Sequence, residues 1–258
     1  LMNLYNIRCY LSTKDCGDIE ETIILNKYGA KNIVFHWSDL TTYKFYFSFI
    51  AHNVCYSWGD IHYAFHLDSY FVDKRINVGC IYKGNYNKSL NNKKNIIGQL
   101  KGFNRERKAV LFCDTSFGNY IEYTEDFFVN FLEIIRDFCR MNNDVNVLLK
   151  PKNLEEEIMA NLTDKLEQYK KIRNELFSFN NFIYLDPLNF YIEESLAISD
   201  ICVSMATTSP STIALICGKD GLYFDNTGNK NHPFAKKYEN ILVFEDKDLL
   251  FKQIYNIL

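Results

Sequence analysis

From Ala109 to the C-terminus, short runs of β-branched and aromatic residues alternate with longer stretches whose apolar residues recur at spacings of three and four. The short runs are AVLFCD (109–114), VNVLLK (145–150), NFIYLD (181–186), ICVSM (201–205), GLYFD (221–225) and NILVFE (240–245). Each is almost continuously apolar, which predicts strands buried on both faces, and such strands belong to parallel sheets covered by crossover helices. The intervening patterns supply those helices. Thr124 is placed to cap one, with Glu125 and Asp126 in its first turn and Phe127, Phe131, Ile134 and Phe138 along its apolar face. A charged helix is expected over 154–176, with others over 190–198, from about Ser211, and from Asp248. The later half therefore reads as a Rossmann-like domain over 96–258.

The earlier half is similar but less regular. Strands are expected near 6–11, 32–37, 54–58 and 76–82, and helices near 20–28 and over the aromatic stretch YKFYFSFI (43–50). KGNYNKSLNNKKN (83–95) is polar and has the composition of a linker. The expected fold class is thus α/β with two Rossmann-like domains, 1–82 and 96–258, and a ligand cleft facing the carboxyl ends of their strands. Only four strand signals precede the linker and the first residue is Leu, so the N-terminal domain reads as incomplete. On that reading the chain binds its ligand better than it turns it over.

Composition removes several functions. A net charge of −3 without long runs of like charge gives no electrostatic reason to bind nucleic acid. The eight cysteines are scattered, without C-x-x-C or histidines at ligand spacing, and read as reduced, buried side chains in a cytoplasmic protein. No metal site is expected. No run of apolar residues reaches the length that spans a bilayer. The 43–50 stretch lacks the basic polar face of a surface-binding helix and is read as core, with peripheral contact at a membrane as the alternative.

The densest polar signal is ATTSPST (206–212), directly after a predicted strand. Ser209 is expected as a helix N-cap and Pro210 suits the first turn. Capping uses one hydroxyl, whereas Thr207, Thr208, Ser209, Ser211 and Thr212 supply five, so a phosphate at the helix start is the stronger reading. Thr115, Ser116 and Gly118 follow the first strand of the same domain, where a small, hydroxyl-rich turn lets backbone amides approach a ligand.

The segment LDPLNFYIEESLAISDICVSMATTSPSTIALICGKDGLYFD (185–225) resembles the donor-binding half of GT-B glycosyltransferases, particularly those of bacterial surface and capsular polysaccharide synthesis. The resemblance implies a metal-independent transferase that moves sugar from a nucleotide-activated donor to a glycan or lipid-linked acceptor, with no cofactor besides that substrate. It gives Ser211 and Thr212 the donor phosphate and Asp186 the base or ribose. Two departures stand out. The helix after the hydroxyls, IALICGK, lacks the carboxylate many relatives carry, and Lys150-Pro151 stands where several families have His-Pro, which makes Lys150 a phosphate-binding candidate.

For such a transferase, His36, Asp39, Asp60 and His62 follow strands of the first half and are candidates for the base that deprotonates the acceptor. His232-Pro233 lies in a polar loop and reads as structural, and Asp246-Lys247-Asp248 reads as a helix cap rather than a metal-binding pair. A dehydrogenase would need G-x-G-x-x-G and a P-loop enzyme G-x-x-x-x-G-K-[ST], and neither occurs. Two alternatives stay open: a nucleotide-sugar epimerase of the same architecture, and a non-catalytic sugar- or nucleotide-binding member.

Overall fold

Thr124 accepts a hydrogen bond from the Phe127 amide (3.2 Å) in the computed structural model, which describes residues 5–12, 19–35, 50–59, 70–118, 123–228, 235 and 237–258. That cap starts α4 (Glu125–Met141), whose Phe127, Phe128, Phe131, Ile134, Ile135 and Phe138 are buried. The remaining elements of this half are α2 (Lys83–Asn91), α3 (Lys93–Gly98), β5 (Ala109–Cys113), β6 (Asn146–Lys150), α5 (Glu155–Asn161), α6 (Leu166–Ser178), β7 (Phe182–Tyr184), α7 (Ile192–Ile198), β8 (Ile201–Met205), α8 (Ser209–Ile216), β9 (Asp220–Phe224), β10 (Val243–Phe244) and α9 (Lys247–Ile257). Asp246 caps α9 through the Asp248 and Leu249 amides, as its sequence position suggests.

All six strands pair in parallel, in the order β10-β9-β8-β5-β6-β7. Strand β5 pairs with β6 on one side and β8 on the other, so the winding reverses between β5 and β8. This is the doubly wound Rossmann order. Phe112 of β5 meets Phe131 and Phe138 of α4 edge-on, and Phe138 in turn meets Phe251 of α9. Each such ring buried contributes about 2–3 kcal/mol.

The expected single helix over 154–176 is divided. The Glu125 carboxylate, at the start of α4, accepts hydrogen bonds from the Thr163, Asp164 and Lys165 amides and the Thr163 hydroxyl, which ends one helix and starts the next. The stretch expected as a linker over 83–95 is also corrected. It forms α2 and α3, which bury Tyr86, Ser89, Ile96 and Ile97 and pack on α7.

The chain divides into two compact units, one running to Ile81 and one beginning at Tyr82. The first holds β1 (Cys9–Ser12), α1 (Ile19–Lys27), β2 (Lys31–Phe35), β3 (Ile50–Ser57) and β4 (Tyr70–Asn77). These strands are parallel and in sequential order, without a reversal among the described residues. The strand expected at 76–82 lies earlier, because Tyr82 already precedes α2 as its cap. Buried amides hold this sheet together. Asn53 Oδ1 accepts from the Asn32 amide (2.9 Å), Asn53 Nδ2 donates to Asp73 (2.8 Å), and Asn32 Nδ2 donates to the Thr22 hydroxyl (2.9 Å). The architecture is therefore α/β with two parallel sheets.

Candidate functional site

Where an open parallel sheet reverses its winding, the loops leaving the two diverging strands part and leave a crevice at the carboxyl edge. In the second unit those loops are Asp114–Gly118 after β5 and Ala206–Thr208 after β8. Ala206 turns the chain there in a left-handed conformation (φ 54°), which costs a non-glycine residue energy and is concentrated at functional turns. Its amide donates to Phe224 O (2.7 Å) and its carbonyl accepts from the Thr208 amide (2.9 Å), so the turn is held at both ends.

The hydroxyl cluster divides in two. Ser211 is fully buried, and its Oγ lies 2.6 Å from Leu222 O, to which it donates, and 2.7 Å from Ser204 Oγ. Ser204 Oγ also accepts the Ser211 amide (2.9 Å), and Thr212 pairs with the Tyr223 hydroxyl (2.7 Å). Ser211 and Thr212 therefore face the sheet, and the expectation that their hydroxyls hold a phosphate is corrected: they bolt α8 onto β8 and β9. Gly221 permits the contact, since a Cβ there would lie 2.3 Å from Ser211 O. The cap is corrected as well. Thr208, not Ser209, holds the N-cap position, and its hydroxyl donates back to Met205 O (2.9 Å). With Pro210 lacking an N–H and the Ser211 amide used by Ser204, the helix start offers an anion fewer donors than the sequence suggests. Thr207 keeps its hydroxyl unengaged among the described residues, and Ser209 is half-buried at the first helical position.

On the β5 side, Thr115, Ser116 and Gly118 are half-buried, and the Gly118 amide donates to Tyr123 O (2.9 Å) at φ 141°. The intervening Phe117 stacks on Phe128 (4.0 Å between centroids) and anchors the loop. Lys150 ends β6 beside Cys113, half-buried, with Nζ 3.4 Å from Pro151 O. Asp186 does not present its carboxylate freely. One oxygen accepts from the Leu188 amide (2.9 Å) and the other from Asn189 Nδ2 (2.6 Å), which closes the loop after β7. His36, Asp39, Asp60, His62 and the His232-Pro233 pair lie outside the described residues.

Asp114, the last residue of AVLFCD, carries a signal the sequence reading passed over. It is buried at the end of the central strand and accepts the Lys152 amide at 2.6 Å, tying the two loops after β5 and β6 together. Burial pushes its carboxyl up to about 7, against the opposing pull of that amide and of the Lys150 and Lys152 ammonium groups. A charged residue closing an otherwise apolar strand was the available clue. Burial likewise pushes the Cys113 thiol well up, with Cys202 as its hydrogen-bonding neighbour, so Cys113 is not set up as a nucleophile. Among the described residues no cluster of His, Cys, Asp and Glu is placed to hold a metal, and no helix is long and apolar enough to cross a membrane.

A family model described as "Polysaccharide biosynthesis PFTS motif protein" matches residues 38–252, well over half of the chain. No curated protein matches it. Among solved structures, a glycosyltransferase from Rickettsia africae is similar at a TM-score of 0.50 and 11% identity, covering 99% of this chain and 68% of that one. An α,α-trehalose-phosphate synthase (UDP-forming) from Burkholderia vietnamiensis gives a TM-score of 0.47 at 11% identity, covering 92% of this chain and 61% of that one. The chain thus spans less than two thirds of the length of that synthase. The likeness to the Rickettsia enzyme concerns the fold alone.

Proposed function

The chain belongs to the polysaccharide biosynthesis PFTS motif family, and from that membership we propose that it is a glycosyltransferase whose second unit binds a nucleotide-activated sugar at the β5/β8 reversal. The observation that carries this is the reversal itself, with the Thr115–Gly118 turn on one side and the Ala206–Ser209 turn on the other. On this reading the diphosphate meets the Thr207 hydroxyl, the Ser209 end of α8 and the Thr115–Gly118 backbone, with Lys150 as a point charge. Asp114 fixes the loop after β6 by holding the Lys152 amide. The acceptor is a glycan or a lipid-linked saccharide, as the family's description suggests. Leaving-group charge is stabilised by Lys150 and the dipole of α8 without a resident metal, and turnover that persists in chelator supports that part.

The test is calorimetric titration with uridine, guanosine, cytidine and thymidine diphosphates against the chain and its T207V and K150A variants. Loss of a hydroxyl or ammonium partner of a charged phosphate costs about 1.5–3 kcal/mol, so each variant should bind about 10- to 100-fold more weakly. Absence of nucleotide binding by the parent chain, or variants that bind equally well, would overturn the reading. The lack of a carboxylate in IALICGK and the Lys150-Pro151 pair in place of His-Pro favour a second reading, a member that binds nucleotide or sugar without transfer. Tight nucleotide binding with neither hydrolysis nor epimerisation of a nucleotide sugar identifies it.

A further inference from the structure

Between α2 and α7 the second unit has a groove of about 490 Å³, within the size range of small-ligand sites. Asn85, Lys88 and Asn92 line one wall, and Tyr191, Glu193 and Glu194 the other. Glu193 is the unusual member. It is 7% exposed, and its carboxylate accepts a single hydrogen bond among the described residues, from Asn85 Nδ2 at 3.3 Å, with no ion pair. A carboxylate can accept about four hydrogen bonds, so Glu193 keeps acceptor capacity for hydroxyls that enter the groove. Tyr191 is unusual in the opposite sense. Its ring is 70% exposed while its backbone is fixed, the N–H by Glu194 (2.9 Å) and the carbonyl by the Ser195 amide (3.1 Å) and hydroxyl (2.9 Å). An exposed aromatic face on a rigid turn is a binding surface with little ordering cost.

We propose that this groove binds a neutral saccharide ring, with the Glu193 carboxylate accepting from neighbouring hydroxyls, the Asn85 and Asn92 amides completing the hydrogen bonds, and the Tyr191 ring packed on the C–H face of the sugar. The charges select against anions, since two carboxylates face one ammonium. A nucleotide phosphate is therefore not the occupant. Glu193 also acts on the Cys217 thiol, which burial raises, Lys83 lowers and Glu193 raises further. Cys217 caps the C-terminal end of α8, so Glu193 acts on the end of that helix opposite to Ser209. The inference goes beyond the nucleotide reading and does not depend on it.

Saturation-transfer NMR on the whole chain, with methyl glycosides of glucose, galactose, mannose and N-acetylglucosamine, tests it. At least one glycoside should show transfer concentrated on its C–H face. Y191A removes an exposed ring and E193Q keeps the acceptor for Asn85, so both should fold with unchanged circular dichroism. The affinity should fall about tenfold in E193Q, where charge-assisted bonds become neutral ones, and the transfer signal should be lost in Y191A. Nucleotide affinity should stay within twofold of the parent in both, which separates failure of this site from failure of the nucleotide site. No transfer to any of the four glycosides, variants indistinguishable from the parent, or binding of arginine amide in place of glycosides would overturn the proposal. If E193Q does not fold, Y191A and N92A decide it.

Discussion

Asp114 shows how one buried carboxyl sets a pH dependence for the whole chain. Its carboxyl titrates near 7 in the folded protein against an ordinary 3.8. Between those values the folded chain holds a proton that the unfolded chain has released, so stability falls as pH rises through that window and the loss is complete above it. D114N keeps an acceptor for the Lys152 amide and removes the charge. We expect it to stabilise the chain at pH about 8 by up to on the order of 4 kcal/mol and to have little effect at pH about 4. Urea unfolding at the two pH values checks this, and an equal effect at both would show that the carboxyl does not titrate in the window. Ser211 gives a second prediction of a different kind. S211A leaves the buried Ser204 hydroxyl and Leu222 carbonyl short of a partner and should cost about 1–3 kcal/mol in the same assay. Nucleotide affinity of the folded fraction should be unchanged, whereas a tenfold loss would return Ser211 to the binding site.

At the scale of elements, the close seating of α8 on β9 depends on one missing side chain. A methyl group at Gly221 would lie 2.3 Å from the Ser211 carbonyl oxygen and 3.0 Å from the Leu215 side chain, and a helix backbone cannot rotate away as a flexible side chain can. G221A should therefore cost about 3 kcal/mol or more and displace the start of α8, weakening nucleotide binding along with stability. Thermal melting and titration of the same sample check both, and a neutral substitution would show that α8 is free to shift. The strands of this unit were legible because a parallel strand buried on both faces leaves an unbroken apolar run, as AVLFC and ICVSM do. The cap at Thr124 was legible because it acts within three residues. The break between α5 and α6 was not, since the carboxylate that makes it is Glu125, distant in sequence from the amides it receives. Residues 83–95 read as a linker because so few apolar side chains, Tyr86, Ile96 and Ile97 among them, hold two short helices in place. The hydroxyl cluster announced the location of the site, but which hydroxyls point inward depends on the phase of α8 against Ser204 and Tyr223, and composition carries no phase.

At the scale of the whole molecule the two sheets differ in kind. The second has a reversal and a continuous aromatic core, while the first, among the described residues, runs β1-β2-β3-β4 in sequence and carries buried amides at Asn32 and Asn53. Among the described residues the first sheet has no reversal to part its loops, which is why we propose the nucleotide site in the second unit. The sheets should also differ in how readily they open, the first below the free energy of global unfolding. The distribution of cysteines makes that measurable without any substitution. Cys9 is exposed, Cys55 is buried in β3, and Cys113, Cys139 and Cys202 are buried in the core of the second unit. Under a thiol-reactive reagent Cys9 should be modified at once, Cys55 at the opening rate of the first sheet, and the three core thiols only as the second unit unfolds. Mass spectrometry of digested time points would resolve those steps, and Cys55 reacting in step with Cys202 would show that the two units open together. The chain thus carries a set of chemical clocks, each started by a different sheet coming apart.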